Sequence, residues 1–311
     1  MTIEARIELD SINDLGVRLT TWVIRYPRFI HAELMTHRMF SRNASSSRAI
    51  PVKTQCDRIE AEPAMPVEWG ANKAGMQATE VLLPENEAKA KAVWLRLMKT
   101  CVDGGRELAD LQVHKQIANR VAEPWSHIAV VLTGTEFANY FALRYHPDAQ
   151  PEFRVLATIM ADLYQASVPK LLGEREWHLP FVQDTERGMT GHSPAAAGIL
   201  VKVSTARCAR VSHLKHDGTK ASIMEELALY DRLAAGKPLH ASPTEHQGTP
   251  FINGPILSYP KHKWGYPYDL KWCPIKEDLD YSMPWSGNLR GWFQYRQSLK
   301  GQNITILPWS K

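Results

Sequence analysis

Polar and apolar side chains alternate through the first thirty residues, with Ile3, Ala5 and Ile7 and then Leu19, Trp22 and Ile24 as the apolar positions. A period near two belongs to half-buried strands, so this stretch predicts an antiparallel pair joined near Asn13 to Gly16. Over 29–39 the apolar spacing lengthens to a helical period. Residues 51–79 are rich in Pro, Gly and Ala without a period, which predicts a long loop. Trp94, Leu97, Met98 and Cys101 share one stripe of a helix expected over 85–102, with Gly104-Gly105 as its stop and a second helix over 106–121. Pro151 opens a further helix whose buried face is Phe153, Leu156, Met160 and Leu163. The run STARCARVS at 204–212 reads as a strand. Ser222 with Glu225 three residues later is a capping-box signal for a helix through Ala235, closed by Gly236.

Composition narrows the class without naming it. A chain of 311 residues, 44% hydrophobic, can bury a sizeable core. The formal charge of +4 is small for this size, which argues against a nucleic-acid partner while leaving room for a local anion pocket. Cys56, Cys101, Cys208 and Cys273 are scattered and form no CxxC pair, so neither a zinc cage nor a redox couple is expected. The polar, acidic opening MTIEARIELDSINDLG and the lack of any long apolar window predict a cytoplasmic chain with no membrane partner. Of the 28 aromatic residues, 12 fall in 251–311. That region is expected to be an irregular cap packed on a catalytic domain spanning 1–250.

Three stretches carry candidate chemistry. In HAELMTHRMFSRNASSSR (31–48), His37 and Arg38 precede Ser41, Asn43, Ser45, Ser46, Ser47 and Arg48. Cations beside hydroxyl and amide donors suit a phosphate, although a solvated serine-rich turn has the same composition. The second stretch joins RVAEP (120–124), TGTEFANYFALR (133–144) and PEFR (151–154). The third joins STARCARVS (204–212) to HASPTEH (240–246). His240 and His246 have no third ligand cluster at a suitable spacing, so no metal is expected.

Together the three stretches resemble the flavin-dependent thymidylate synthases. In that family an Arg-His-Arg group is followed by Ser, Asn, Glu, Ser and a second Arg, and His37, Arg38, Ser41, Asn43, Ser46 and Arg48 fall on those positions. Thr36, Ala44 and Ala49 depart from the pattern. Arg120 and Arg144 fit the arginine before the Pro turn and the one closing the Phe-x-x-Leu-Arg helix, whereas the family's Asn-x-Arg is missing around Thr135, Glu136 and Phe137. His240, Ser242, Pro243, Glu245 and His246 match the family's His-x-Ser/Thr-Pro-Phe-Glu-His, with Thr244 in place of Phe. This third stretch usually lies near the N-terminus, so its late position implies a circular permutation, which is tolerated where termini lie close together.

The resemblance implies an α+β fold, a mixed or antiparallel sheet flanked by helices, with insertions at about 51–105 and 166–200. It implies FAD as cofactor, held by His37, Arg38, Asn43, Asn139, His240 and Ser242. The nucleotide would be held by Glu33, Ser46, Ser47, Arg48, Arg120 and Arg144, with Arg144 stabilising charge on the ring. NADPH and methylenetetrahydrofolate would be co-substrates, deoxyuridylate (dUMP) the substrate and deoxythymidylate the product, in a homotetramer. The departures leave open another pyrimidine nucleotide, a hydroxymethyl product, or a silent flavin- or nucleotide-binding protein. The run RGWFQYR (290–296) is a further candidate, in which Arg290 and Arg296 would supply the ligand contacts that Thr36 and Ala44 cannot make.

Overall fold

Two strands open the chain, β1 (Glu4–Ile12) and β2 (Arg18–Pro27), paired antiparallel as the alternation predicts. Asn13 shapes the turn between them: its Oδ1 accepts from the backbone N–H of Leu15 at 3.1 Å and of Val17 at 2.9 Å. Gly16 completes the reversal at a φ of +75°, a conformation that costs other residues energy. The structure is a computed structural model that describes residues 3–75, 77–78, 80–190, 194–211, 218–234, 236, 239–251 and 284–302.

After a 3-10 turn (Arg28–Ile30), α1 (His31–Leu34) is a single turn, shorter than the period over 29–39 predicts. The chain then re-enters the sheet as β3 (Ser41–Ala44). Residues 51–79 are not all loop, because α2 (Val52–Ala61) occupies the first third. Its buried Val52, Cys56 and Ile59 fall at helical spacing, a short signal masked by the Pro- and Ala-rich sequence after it. Nor does Gly104-Gly105 end the next helix, since α3 (Pro84–Asp110) runs through both. A Cβ at Gly105 would make only ordinary contacts, with Cys56 Sγ and Val121 Cγ2 at 3.5 Å each, and Gly104 faces open space, so neither glycine interrupts the helix. Of the expected stripe on α3, Met98 is buried but Leu97 faces outward.

The chain continues through α4 (Lys115–Ala118) and a 3-10 segment (Asn119–Trp125) into β4 (His127–Gly134), α5 (Ala138–Arg144), α6 (Pro151–Ala166) and β5 (Lys170–Leu171). The sheet order is β3-β4-β2-β1-β5, antiparallel except where β5 lies parallel to β1. One face, carrying Trp22, Ile24, Tyr26, Ile128, Val130 and Leu132, packs on Phe153, Leu156 and Met160 of α6. Each large side chain so buried contributes about 1.5–3 kcal/mol. Leu163 lies at the edge of that contact, 36% exposed.

The opposite face, with Val23, Ala129 and Val131, meets Phe181 and Cys208. Cys208 belongs to α8 (Pro194–Arg210), which follows α7 (Asp184–Thr190). Residues 204–210 are therefore helix, not strand. Ser204, Thr205, Ala206, Arg207 and Cys208 are all buried, and a helix enclosed on every side shows no amphipathic period to read. α9 (Ile223–Ala234) begins as the capping box predicts, with the Glu225 N–H donating to Ser222 Oγ at 3.3 Å and the Ser222 N–H to Glu225 Oε2 at 2.7 Å.

The last elements are β6 (Gly248–Pro250), β7 (Trp285–Ser286), β8 (Leu289–Arg290) and β9 (Trp292–Gln294). β9 pairs antiparallel with β6. Most of the aromatic-rich region, 252–283 and 303–311, lies outside the described residues. The result is an α+β fold with a mixed sheet between helices. No helix among the described residues is long and apolar enough to cross a membrane.

Candidate functional site

The first stretch folds into a hook around its own arginine. Arg42 Nη1 donates to the carbonyl oxygens of Leu34 (3.2 Å), Met35 (3.0 Å) and His37 (3.0 Å), satisfying acceptors that so short a helix leaves open. That closure holds His37 against Tyr140, edge-on with ring centres 5.2 Å apart. Phe40 stacks on Phe137 at 4.8 Å. It sits so close to Gly134 that a Cβ there would come within 2.8 Å of the ring.

Arg144, the last residue of α5, closes the hook from outside. Its Nε donates to His37 Nε2 at 3.0 Å and its Nη1 to Glu33 Oε2 at 3.0 Å, while the guanidinium lies over Phe153 with Cζ 4.7 Å from the ring centre. Burial, and then the charges of Arg144 and Arg42, lower the His37 pKa to about 4. His37 is neutral near pH 7, and its Nε2 serves as the acceptor that orients Arg144. The Nη2 of Arg144 has no partner among the described residues and its side chain is 19% exposed, so one guanidinium edge remains to offer.

Beyond β3, Ser47 is buried and its Oγ donates to Glu123 Oε1 at 2.5 Å. Arg120 (3.0 Å) and Arg28 (3.2 Å) reach the same carboxylate. Asn119 Nδ2 donates to the carbonyls of Ser47 (2.7 Å) and Ile50 (2.9 Å), fastening the turn that presents Ser46 and Arg48. Ser46 and Arg48 are exposed, as is Arg38 at the other end of β3, and neither arginine joins an ion pair among the described residues.

The third stretch lies against β3. Asn43 Nδ2 donates to the carbonyls of Cys208 (2.7 Å) and Ala209 (3.2 Å) at the end of α8, and its Oδ1 accepts from Ser242 Oγ at 3.2 Å. His246 is fully buried, with Nδ1 2.8 Å from Thr133 Oγ1. Ser242 thus touches β3 directly at Asn43, Arg144 reaches the hook ahead of β3 at His37, and Arg48 lies in the turn after it. Asn139 and His240 are exposed and are not drawn into these contacts. Among the described residues, no group of His, Cys, Asp or Glu could hold a metal ion.

Several partners gave no warning in the sequence. Arg42 stands inside the first stretch, but its inward turn has no sequence signal. Glu123 lies three residues after Arg120, a spacing that could have paired them. Arg290 and Arg296, the expected substitutes for Thr36 and Ala44, are each bound to a carboxylate. Arg290 Nε binds Glu136 Oε1 at 2.6 Å, and Arg296 pairs with Glu245.

Comparison with known families bears directly on this arrangement. The model of Thy1, thymidylate synthase complementing protein, matches residues 17–170, which hold the first two stretches. Through that segment the chain belongs to the Thy1 family. Membership marks a methyltransferase-like enzyme of nucleotide biosynthesis. The Thy1 match ends before the third stretch. Two solved structures of a UMP/dUMP methylase PolB from Streptomyces cacaoi, bound with 5-Br dUMP and with 5-Br UMP, are similar over 52% of this chain and 90% and 88% of theirs. Identity is 17% and 18%, with a TM-score of 0.46 for both. No curated protein matches the chain.

Proposed function

We propose that this chain transfers a one-carbon unit to C5 of a pyrimidine deoxynucleotide, deoxyuridylate, and reduces it, with FAD as resident cofactor. The observation that carries this reading is the convergence on β3: Arg144 fixed by Glu33 and His37, exposed Arg38 and Arg48 at either end, and Ser242 on Asn43. Two unpaired cations beside hydroxyl and amide groups fit phosphate-bearing ligands, so the residues present suit both a dinucleotide and a nucleotide. Arg38, Asn43, Asn139, His37, His240 and Ser242 would hold the flavin. Ser46, Arg48 and Arg120 would hold the nucleotide phosphate, while Ser47, buried with its proton given to Glu123, would fix the turn that carries Ser46 and Arg48. The third stretch would then serve the same site as in the family from a later place in the chain, a permutation.

Methylating a uracil ring at C5 requires negative charge to develop on the ring. Arg144 meets that need with the guanidinium edge that Glu33 and His37 leave free, and because it stays charged it stabilises without acting as a base. Neutral His37 accepts from Arg144 Nε and holds its direction. Cysteine attack on the ring gains no support from Cys208 or Cys56, since burial pushes both thiols above their ordinary pKa and leaves little thiolate. Bound flavin, recharged by NADPH, would supply the hydride, and methylenetetrahydrofolate the carbon. Exposed Val93 and Leu97 on α3 and Ile117 on α4 are apolar surface suited to a homo-oligomer.

The test is direct. Protein incubated with FAD, NADPH, methylenetetrahydrofolate and either deoxyuridylate or deoxycytidylate is analysed for nucleotide mass. Gain of one methylene on deoxyuridylate is expected. A hydroxymethyl product, or no product from either nucleotide, defeats the proposal.

A further inference from the structure

Two carboxylates stand in a neighbourhood otherwise furnished for an anion. Glu136 lies just ahead of α5, and Glu245 follows Ser242 by three residues. Left alone, each would repel a phosphate brought to Ser242, Asn43 or Arg38. Neither is alone: the segment 284–302 supplies one arginine to each, and Glu245 also feels the charge of Arg42. Arg290 binds Glu136 through Nε at 2.6 Å and gives its backbone N–H to Thr135 Oγ1 at 3.2 Å. Arg296 Nη1 binds Glu245 Oε1. All four side chains are partly buried, where water screens poorly.

The segment is fixed firmly enough to hold those charges in place. β9 pairs with β6 immediately after the third stretch. Gln294, 1% exposed, has its Nε2 within 2.8 Å of Asn288 Oδ1, 3.1 Å of the Glu245 carbonyl and 3.3 Å of Ser41 Oγ. Asn288 Nδ2 donates to the carbonyl of Met39, next to Arg38. One short hairpin therefore touches all three stretches. It lies outside the residues that match the family.

We infer that Arg296 and Arg290 are positioning residues that cancel the charges of Glu245 and Glu136, so that a ligand carrying phosphates can approach Ser242, Asn43 and Arg38. The inference deepens the proposed flavin site and rests on it. It separates charge from shape, since a ligand with the same ring system and no phosphate would be indifferent to the two pairs.

The experiment titrates the full chain with FAD and with riboflavin, following flavin fluorescence. Arg296→Gln is expected to weaken FAD binding about tenfold while riboflavin affinity stays within about twofold. Arg290→Gln should act in the same direction. The double variant Glu245→Gln/Arg296→Gln exchanges the ion pair for an amide pair of similar shape and should restore FAD affinity. Glu245→Gln alone, which needs no restored fold, should bind FAD more tightly than wild type. Equal losses for both flavins, no loss for either, or no recovery in the double variant would overturn the inference and leave the flavin site standing. Failure of the wild-type chain to bind either flavin would overturn the site itself.

Discussion

Two arginine clusters flank the sheet, built from the same chemistry and left in different states. Arg207 on α8 is enclosed: it gives Nη1 and Nη2 to Glu186 at 2.7 Å each and a further bond to the Phe181 carbonyl at 2.7 Å, with Glu226 3.6 Å from its Nε. Its side chain is 6% exposed and that of Glu226 is 0% exposed. Arg144 is tied by Nε and Nη1 only, is 19% exposed, and keeps Nη2 for something else. Both sit in stretches that resemble one family. An arginine inside a motif is thus available for chemistry only where the fold leaves an edge of it unspent.

The largest expected effect lies with the enclosed cluster. Arg207→Ala takes one cation from Glu186 and one from Glu226, which keeps Arg210, and breaking a buried pair from one side costs about 3–5 kcal/mol. Urea denaturation should show that loss, and a loss under about 1 kcal/mol would make the two clusters equivalent. Arg144→Ala should reverse the profile: turnover down by about 10²-fold or more, flavin affinity retained, and stability changed by no more than about 1 kcal/mol. Wild-type turnover in that variant would remove Arg144 from the mechanism.

Acid should probe the enclosed interior next. His178 sits between Ser11 Oγ and Thr21 Oγ1 at 2.8 Å each, and burial lowers the pKa of both His178 and His246 to about 3, from 6.5. Between those values the unfolded chain takes up protons that the folded chain refuses, so stability falls as pH drops below about 6.5. The slope is up to about 1.4 kcal/mol per pH unit for each histidine. Urea midpoints at pH 7, 6 and 5 would measure it, and a flat profile would contradict the assignment. The smallest effect belongs to exposed Arg48. Arg48→Ala should raise KM for the nucleotide about tenfold with kcat unchanged, while stability stays within about 0.5 kcal/mol. A change in kcat alone would move Arg48 out of the phosphate seat.

How much was legible follows from what each signal depends on. The β1–β2 pair was readable because its alternation and the Asn13–Gly16 turn are local, and the capping box of α9 because it spans three residues. Gly104-Gly105 misled, since a glycine inside a helix and one that ends a helix look alike in one dimension. The C-terminal half of α8 misled because residues 203–208 are buried without a break, which erases the period by which a helix is recognised. Of the site, Arg144, His37, Asn43 and Ser242 stand out by motif and do meet one another or share β3. Arg42 does not stand out because its inward turn has no local signal, and Asn288 and Gln294 do not because they lie outside every motif and their partners are distant in sequence.

The sequence by itself determined the residue types and their local spacing: strands from alternation, caps from short polar pairs, and a set of cations and hydroxyls that one family shares. Tertiary structure alone decided which cations are consumed and which are free. A guanidinium has five N–H donors and one charge, and whether they face a carboxylate or open space depends on contacts between residues a hundred or more positions apart, such as Arg144 with Glu33 and Arg290 with Glu136. No local pattern encodes that pairing.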